Sequence, residues 1–113
     1  MKKLLLLSIV LLGLGSTAFA KDIYVKYRGT VDVSNGYFQQ LFLKSSSFIN
    51  DMYYDSDNNY LLVQLNSTYY HYCAIPQGII SDWRGSSSLG RYYNHNIKGN
   101  YDCRVNPVPQ YED

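Results

Sequence analysis

Three stretches in the middle of the chain are rich in aromatic and branched residues and are bounded by turn-forming residues, which is the pattern of β-strands. They are SFINDMYY over residues 47–54, YLLVQL over residues 60–65 and YYHYCA over residues 69–74. Because the connections between them have only three to five residues, consecutive stretches are expected to pair antiparallel. The pattern predicts a three-stranded antiparallel β-meander.

Beyond the third stretch the apolar residues recur at helical spacing. Pro76 suits the first turn of a helix, and the residues behind it predict a short helix over 76–84. Serines that can cap a helix precede a second series that starts at Leu89 and predicts a helix ending near Lys98. The predicted fold class is α+β, with the three-stranded meander carrying two short helices on one face.

The segments on either side of this unit are less regular. Residues 21–44 form an N-terminal extension, in which residues 21–33 alternate like one or two short strands with a bend at Gly29. Residues 37–43 fit either a short helix or an apolar strand. Residues 105–113 contain two prolines and end on two acids, which predicts an extended and flexible C-terminal tail.

The first 20 residues have the pattern of an export signal. Lys2 and Lys3 precede an apolar run over residues 4–14, and Ala18-Phe19-Ala20 is typical of a cleavage site. The run is about 11 residues long, whereas a helix that crosses a bilayer needs roughly 20, so we expect no stable membrane insertion. The remaining chain is expected to be exported, either to the periplasm or to the medium.

Export determines how Cys73 and Cys103 are interpreted. Two cysteines in a short exported domain usually pair, because the compartment is oxidising. Two buried free thiols and a metal site are the alternatives, although the spacings C-x-x-C and H-x-x-x-H of zinc sites do not occur. We expect a disulfide that closes a loop of about 30 residues, and no metal or cofactor.

Length and charge exclude several classes of protein. The 113 residues, less the export signal, suffice for one small domain and exclude a nucleotide-binding α/β sheet or a barrel enzyme. The formal net charge is +1 and becomes −1 without Lys2 and Lys3, so no basic excess requires a nucleic-acid partner.

The candidate binding residues lie on the third strand and the second helix. Tyr70 and Tyr72 share one strand face, and if that face is open they form a platform on which single-stranded nucleic acid stacks. The favoured alternative is that these rings cover the core. Arg91 and Lys98, seven residues apart, form with Arg104 a basic patch, or they are merely part of a solvated helix face. Asn94 beside them is either a ligand contact or a structural hydrogen-bonding residue.

His71 and His95 raise the question of catalysis. One imidazole as general base and the other as general acid would make a small metal-independent nuclease or hydrolase. Two histidines in a chain of this length are close to background, however, and no G-x-S-x-G, H-E-x-x-H or P-loop motif occurs. The protein is therefore predicted not to be an enzyme.

The ordered motifs resemble a known module, the KTSC domain, over about Ser45 to Arg104. The resemblance rests on Ser46-Ser47, Tyr54-Asp55, Tyr70-His71-Tyr72, Ile75-Pro76, Ser88-Leu89-Gly90-Arg91-Tyr92-Tyr93-Asn94 and Ile97-Lys98. It implies a domain found at the C-terminus of some lysyl-tRNA synthetases and as a separate bacterial protein, with no established activity and with RNA binding as a suggestion. Exported proteins rarely meet cytosolic RNA. We therefore expect a binding or interaction module whose partner is an unknown protein or ligand, with RNA binding as the alternative.

Overall fold

A computed structural model describes residues 20–111, so the predicted export signal lies outside the described residues except for Ala20. The strands are β1 Asp22–Val25, β2 Gly29–Asp32, β3 Gln39–Gln40, β4 Ile49–Asp55, β5 Tyr60–Leu65 and β6 Thr68–Tyr72. The helices are α1 Gln77–Gly85 and α2 Leu89–Tyr92, and a π-helical turn, Tyr93–Ile97, continues α2. Within residues 20–111, no helix has the length and hydropathy required to span a membrane.

The six strands form one mixed sheet in the order β2-β1-β6-β5-β4-β3. All neighbouring pairs are antiparallel except β1 and β6, which are parallel and share the register pair Val25–Tyr69. The predicted α+β class is confirmed, and the predicted meander is its centre, β4-β5-β6. Residues 21–33 form β1 and β2, as their alternation predicted. The prediction of a three-stranded sheet is inaccurate, because β1, β2 and β3 join the meander in one six-stranded sheet.

Strand β5 is buried on both faces, and four consecutive residues, Tyr60 to Val63, have no exposed surface. Successive side chains of a strand point to opposite faces of the sheet, so both faces of β5 need cover. The two helices pack on one face, in a cluster formed by Ile49, Met52, Tyr54, Leu61, Val63, Ile75, Ile80, Trp83, Leu89, Tyr93 and Ile97. The predicted position of the helices on one face is therefore confirmed.

The opposite face is covered by the curl of the sheet itself. In a flat sheet, β2 and β4 would lie about 19 Å apart, since three strands separate them. Nevertheless, Val31 of β2 and Tyr53 of β4 belong to one buried cluster, together with Ile23, Val25, Val33, Tyr60, Leu62 and Cys73. The N-terminal hairpin thus bends over the central strands and completes a second core.

The helical segment is positioned by a few specific contacts. The Trp83 indole, fully buried, donates from Nε1 to the carbonyl oxygen of Leu89 at 3.0 Å and so ties α1 to α2. Ser88 caps α2, accepting from the amide of Arg91 at 3.1 Å. Gly90 allows close packing, because a Cβ there would lie 2.7 Å from Cε1 of Phe48. These contacts explain why much of the S-L-G-R motif is structural.

The C-terminal segment is anchored by a covalent bond and by a carboxylate. Cys73 and Cys103 form the predicted disulfide, with their Cα atoms 5.0 Å apart. Further along, the hydroxyl of Tyr111 donates to the fully buried Asp55 carboxylate at 2.6 Å. The segment over residues 105–111, expected to be a mobile tail, has no helix or strand but is held against the sheet at both of its ends.

Reduction of the disulfide is expected to lower the free energy of unfolding by about 3–4 kcal/mol, because it releases a loop of 30 residues in the unfolded chain. Chemical denaturation with and without a small-molecule reductant measures the change, and thiol titration confirms complete reduction. Cys103→Ala is the control, whose stability should not respond to the reductant. An unchanged midpoint with both thiols free would contradict the expectation.

Candidate functional site

A cleft of about 570 Å³ opens between the end of β6 and the segment that the disulfide ties to it. Its walls are formed by Tyr27, Tyr70, His71, Tyr72, Gly99, Asn100, Asp102, Cys103, Arg104 and Val108. The cleft has the volume typical of small-ligand sites. It also brings together the N-terminal hairpin, the third strand of the meander and the C-terminal segment.

Tyr27 is the most exposed tyrosine of the cleft, with 81 % of its surface accessible, and it lies in the turn between β1 and β2. Its backbone is in the left-handed region, at φ +72°, which is unfavourable for a bulky residue. The Lys26 ammonium lies 5.4 Å from the centre of the Tyr27 ring and 5.8 Å from that of Tyr70. Sequence reasoning missed Tyr27, because nothing in the pattern KYRG indicates that a tyrosine occupies this conformation.

The two tyrosines that the sequence predicted as a binding platform have different environments. Tyr72 is covered by the helical layer, and its hydroxyl shares a hydrogen bond of 2.7 Å with that of Tyr93. Burial, reinforced by this hydrogen bond, raises the pKa of Tyr72 well above its usual value. Tyr72 is thus half-covered by the helical layer, while the rest of it lines the cleft. Tyr70 is half-buried and keeps one side beside Lys26.

His71 is held by a chain of hydrogen bonds that begins at Arg28 and passes through Tyr60, a residue of the second core. Nη1 of Arg28 donates to the Tyr60 hydroxyl at 3.0 Å, and that hydroxyl lies 2.8 Å from Nδ1 of His71. A guanidinium can only donate, so the Tyr60 oxygen accepts from Arg28, and the Tyr60 hydroxyl and Nδ1 of His71 share the second hydrogen bond. Burial, followed by the nearby charge of Arg28, lowers the pKa of His71, against a smaller opposing effect of Asp102.

The structure does not bring the two histidines into one site. His71 lines the cleft, whereas His95 lies exposed on the π-helical turn and is not among the residues of the cleft wall. The acid–base pair stays a prediction without geometric support. In the part of the chain that the structure describes, no group of three His, Cys, Asp or Glu side chains is arranged to hold a metal ion.

The predicted basic residues are exposed on the helical segment. Lys98 comes directly before the cleft residues Gly99 and Asn100, while Arg91 and Asn94 lie outside the cleft wall. The amide of Lys98 donates to the carbonyl oxygen of Tyr93 at 2.9 Å, five residues back. This wider turn means that the seven-residue spacing of an α-helix does not apply between Arg91 and Lys98.

One cation of the cleft is already paired. Nη2 of Arg104 lies 2.8 Å from a carboxylate oxygen of Asp102, two residues before it. The hydrogen bonds from Arg104 lower the pKa of the Asp102 carboxyl below its usual value, so this carboxylate is charged at neutral pH. The cleft therefore offers tyrosine rings, a neutral imidazole and one ion pair, with the Lys26 ammonium at its rim.

The lowered pKa of His71 predicts a loss of stability in mild acid. The unfolded chain binds a proton near the ordinary pKa of 6.5 while the folded protein does not, so stability is intact above that pH and falls below it. Comparison of the free energy of unfolding at about pH 7.5 and about pH 5 should show a smaller decrease in His71→Asn than in the wild type. The exposed His95→Asn is the control and should retain the wild-type dependence. An equal decrease in the free energy of unfolding in His71→Asn and in the wild type would contradict the assignment of this pH dependence to His71.

Comparison with known proteins gives matches to the part of the chain that forms the meander and the two helices. A family model described as KTSC domain matches residues 45–101. The crystal structure of a KTSC domain protein from Yersinia pestis matches with a TM-score of 0.53 and 30 % sequence identity, over 57 % of this chain and 92 % of that chain. Among curated proteins, none matches. Since the family model covers half of this chain and a structure with the same description shares the fold, the chain belongs to the KTSC domain family.

Proposed function

We propose that this protein is an exported, non-catalytic binding module whose ligand enters the cleft between Tyr27, Tyr70 and the disulfide-linked segment. The observation that carries the proposal is Tyr27, a bulky and exposed ring held at φ +72° at the mouth of the cleft. Glycine or asparagine would occupy this backbone conformation at lower cost. Strained residues of this kind cluster at binding sites, where the strain accompanies a functional position.

The chemistry of the cleft favours a ligand with a flat or apolar group. Tyrosine combines a large rigid ring with a hydroxyl that hydrogen-bonds, which is why it is enriched at binding surfaces. Tyr27 and Tyr70 both lie within cation–π distance of Lys26. A small molecule, or a side chain of a partner protein, that inserts a ring between these residues would match the cavity volume.

Export is the second part of the proposal. It is supported by the signal-like composition of the first 20 residues and by the disulfide between Cys73 and Cys103, because disulfides persist in oxidising compartments. In an oxidising compartment, the disulfide would also hold the C-terminal wall of the cleft in place in so small a module.

Tyr27→Asn is expected to abolish ligand binding without destabilising the fold. Relief of the left-handed strain should leave the thermal midpoint unchanged or raise it by up to several degrees, while binding of the ligand is lost. The experiment is capture of the partner from the cell envelope and medium, with the melting curve of each variant measured in parallel. Tyr70→Ala, on the opposite wall, should also reduce binding.

Tyr24→Ala is the matched control, since Tyr24 is 69 % exposed on the same hairpin and is not part of the cleft wall. It should retain the captured partner. Binding that persists in both Tyr27→Asn and Tyr70→Ala, or that is lost equally in Tyr24→Ala, would refute the cleft as the site.

Binding of single-stranded RNA is a second candidate, favoured by one observation. The ammonium of Lys26 lies within cation–π distance of two tyrosine rings, and the combination of rings with cations is typical of proteins that stack single strands. In that case Lys26→Gln and Tyr27→Asn should both weaken retention of a labelled RNA strand at about 50 mM salt, and retention should fall steeply as salt rises. Absence of retention under these conditions would exclude the RNA alternative.

A further inference from the structure

The backbone of Lys21, just before β1, is held by side chains of the neighbouring edge strand. Its amide nitrogen donates to Oδ1 of Asp32 at 3.2 Å and to Oγ of Ser34 at 3.4 Å. Its carbonyl oxygen accepts from the amide of Val33 at 2.9 Å. The Lys21 nitrogen thus faces two side-chain oxygens, one of them from a carboxylate.

The same residue is fixed through its side chain. The Lys21 ammonium lies 5.4 Å from the centre of the buried Tyr53 ring, within the range of a cation–π interaction. Asp32 in turn accepts from both the amide and the hydroxyl of Ser34, at 2.9 and 2.6 Å. These bonds favour the ionised carboxylate, and they lower the pKa of Asp32.

Lys21 is also the first residue after the cleavage motif Ala18-Phe19-Ala20. Ala20 and Lys21 are both exposed and precede the first residue of β1, Asp22. A cut between them removes no strand of the described fold. It converts the Lys21 backbone nitrogen, which already donates to the Asp32 carboxylate, into a charged amine.

We propose that the mature N-terminus begins at Lys21 and that its α-ammonium forms an ion pair with Asp32, which locks β1 against β2 after processing. The proposal rests on the proposed export. Hydrolysis consumes one water: the C–N bond breaks, the water oxygen turns the Ala20 carbonyl into a carboxylate, and both water protons end on the Lys21 nitrogen as an ammonium. The usual pKa of such an α-ammonium, about 7.7–8.0, leaves it mostly charged at neutral pH. An ion pair between two charged groups then replaces the hydrogen bond that the neutral Lys21 amide donates to the same carboxylate oxygen.

The test compares two chains that carry the same charges. A chain of residues 21–113, released from a fusion by a protease that leaves no extra residue, has its ammonium at Lys21. A chain of residues 20–113 has it one residue earlier and retains an amide at Lys21. Both contain every strand and helix of the described fold. The shorter chain is expected to melt a few degrees higher, and the difference should shrink at high salt, where exposed ion pairs are screened.

Asp32→Asn, made in both chains, completes a double-mutant cycle. The difference between the chains should vanish in Asp32→Asn and persist in Asp82→Asn, an exposed carboxylate on α1. Equal melting temperatures of the two wild-type chains, or a difference that persists in Asp32→Asn, would overturn the ion pair. Mass spectrometry of the protein made by its own cells tests processing separately: a first residue other than Lys21 overturns the cleavage site, and protein retained in the cytoplasm with residues 1–20 intact overturns export.

Discussion

The complete burial of β5 is the constraint on which the rest of the fold depends. A strand with four successive buried residues, Tyr60 to Val63, cannot lie on the surface of a one-sided sheet, because its side chains point alternately to both faces. One face is closed by α1 and α2, and the other by the N-terminal hairpin and the C-terminal segment. The hairpin that the sequence places in an extension is therefore required to complete the second core.

The candidate site arises where this second layer meets the family domain. Tyr27 comes from the hairpin, Tyr70 and His71 from β6, and Arg104 from the segment beyond the disulfide. The related structure is matched over 92 % of its own length but over only 57 % of this chain, so this chain carries segments that the other lacks. Both Tyr27 and Arg104 lie outside the residues that the family model matches. The cleft is thus assembled in part from segments outside the family domain.

Much of the motif that identifies the family has a structural role. Ser88 caps a helix, Gly90 admits the ring of Phe48, and Ile97 is fully buried. Buried Tyr93 links the helical layer to β6 through the hydroxyl of Tyr72. These residues specify how the helices pack on the sheet. They do not by themselves identify a ligand.

Local pattern in the sequence was sufficient for the meander, the two helices and the disulfide, because strand alternation, helical spacing and cysteine pairing act over short stretches or follow from the compartment. It predicted one or two strands over residues 21–33 but not the parallel pairing of β1 with β6, which joins segments distant along the chain. It left residues 37–43 open between helix and strand, since the two-residue β3 has no periodicity. Tyr70 and His71 were identified as candidates from their strand, whereas Tyr27 was missed. Only the tertiary structure decided how far each tyrosine is covered, because the helices that pack against Tyr72 and the N-terminal hairpin that brings Tyr27 to the cleft are distant from β6 along the chain.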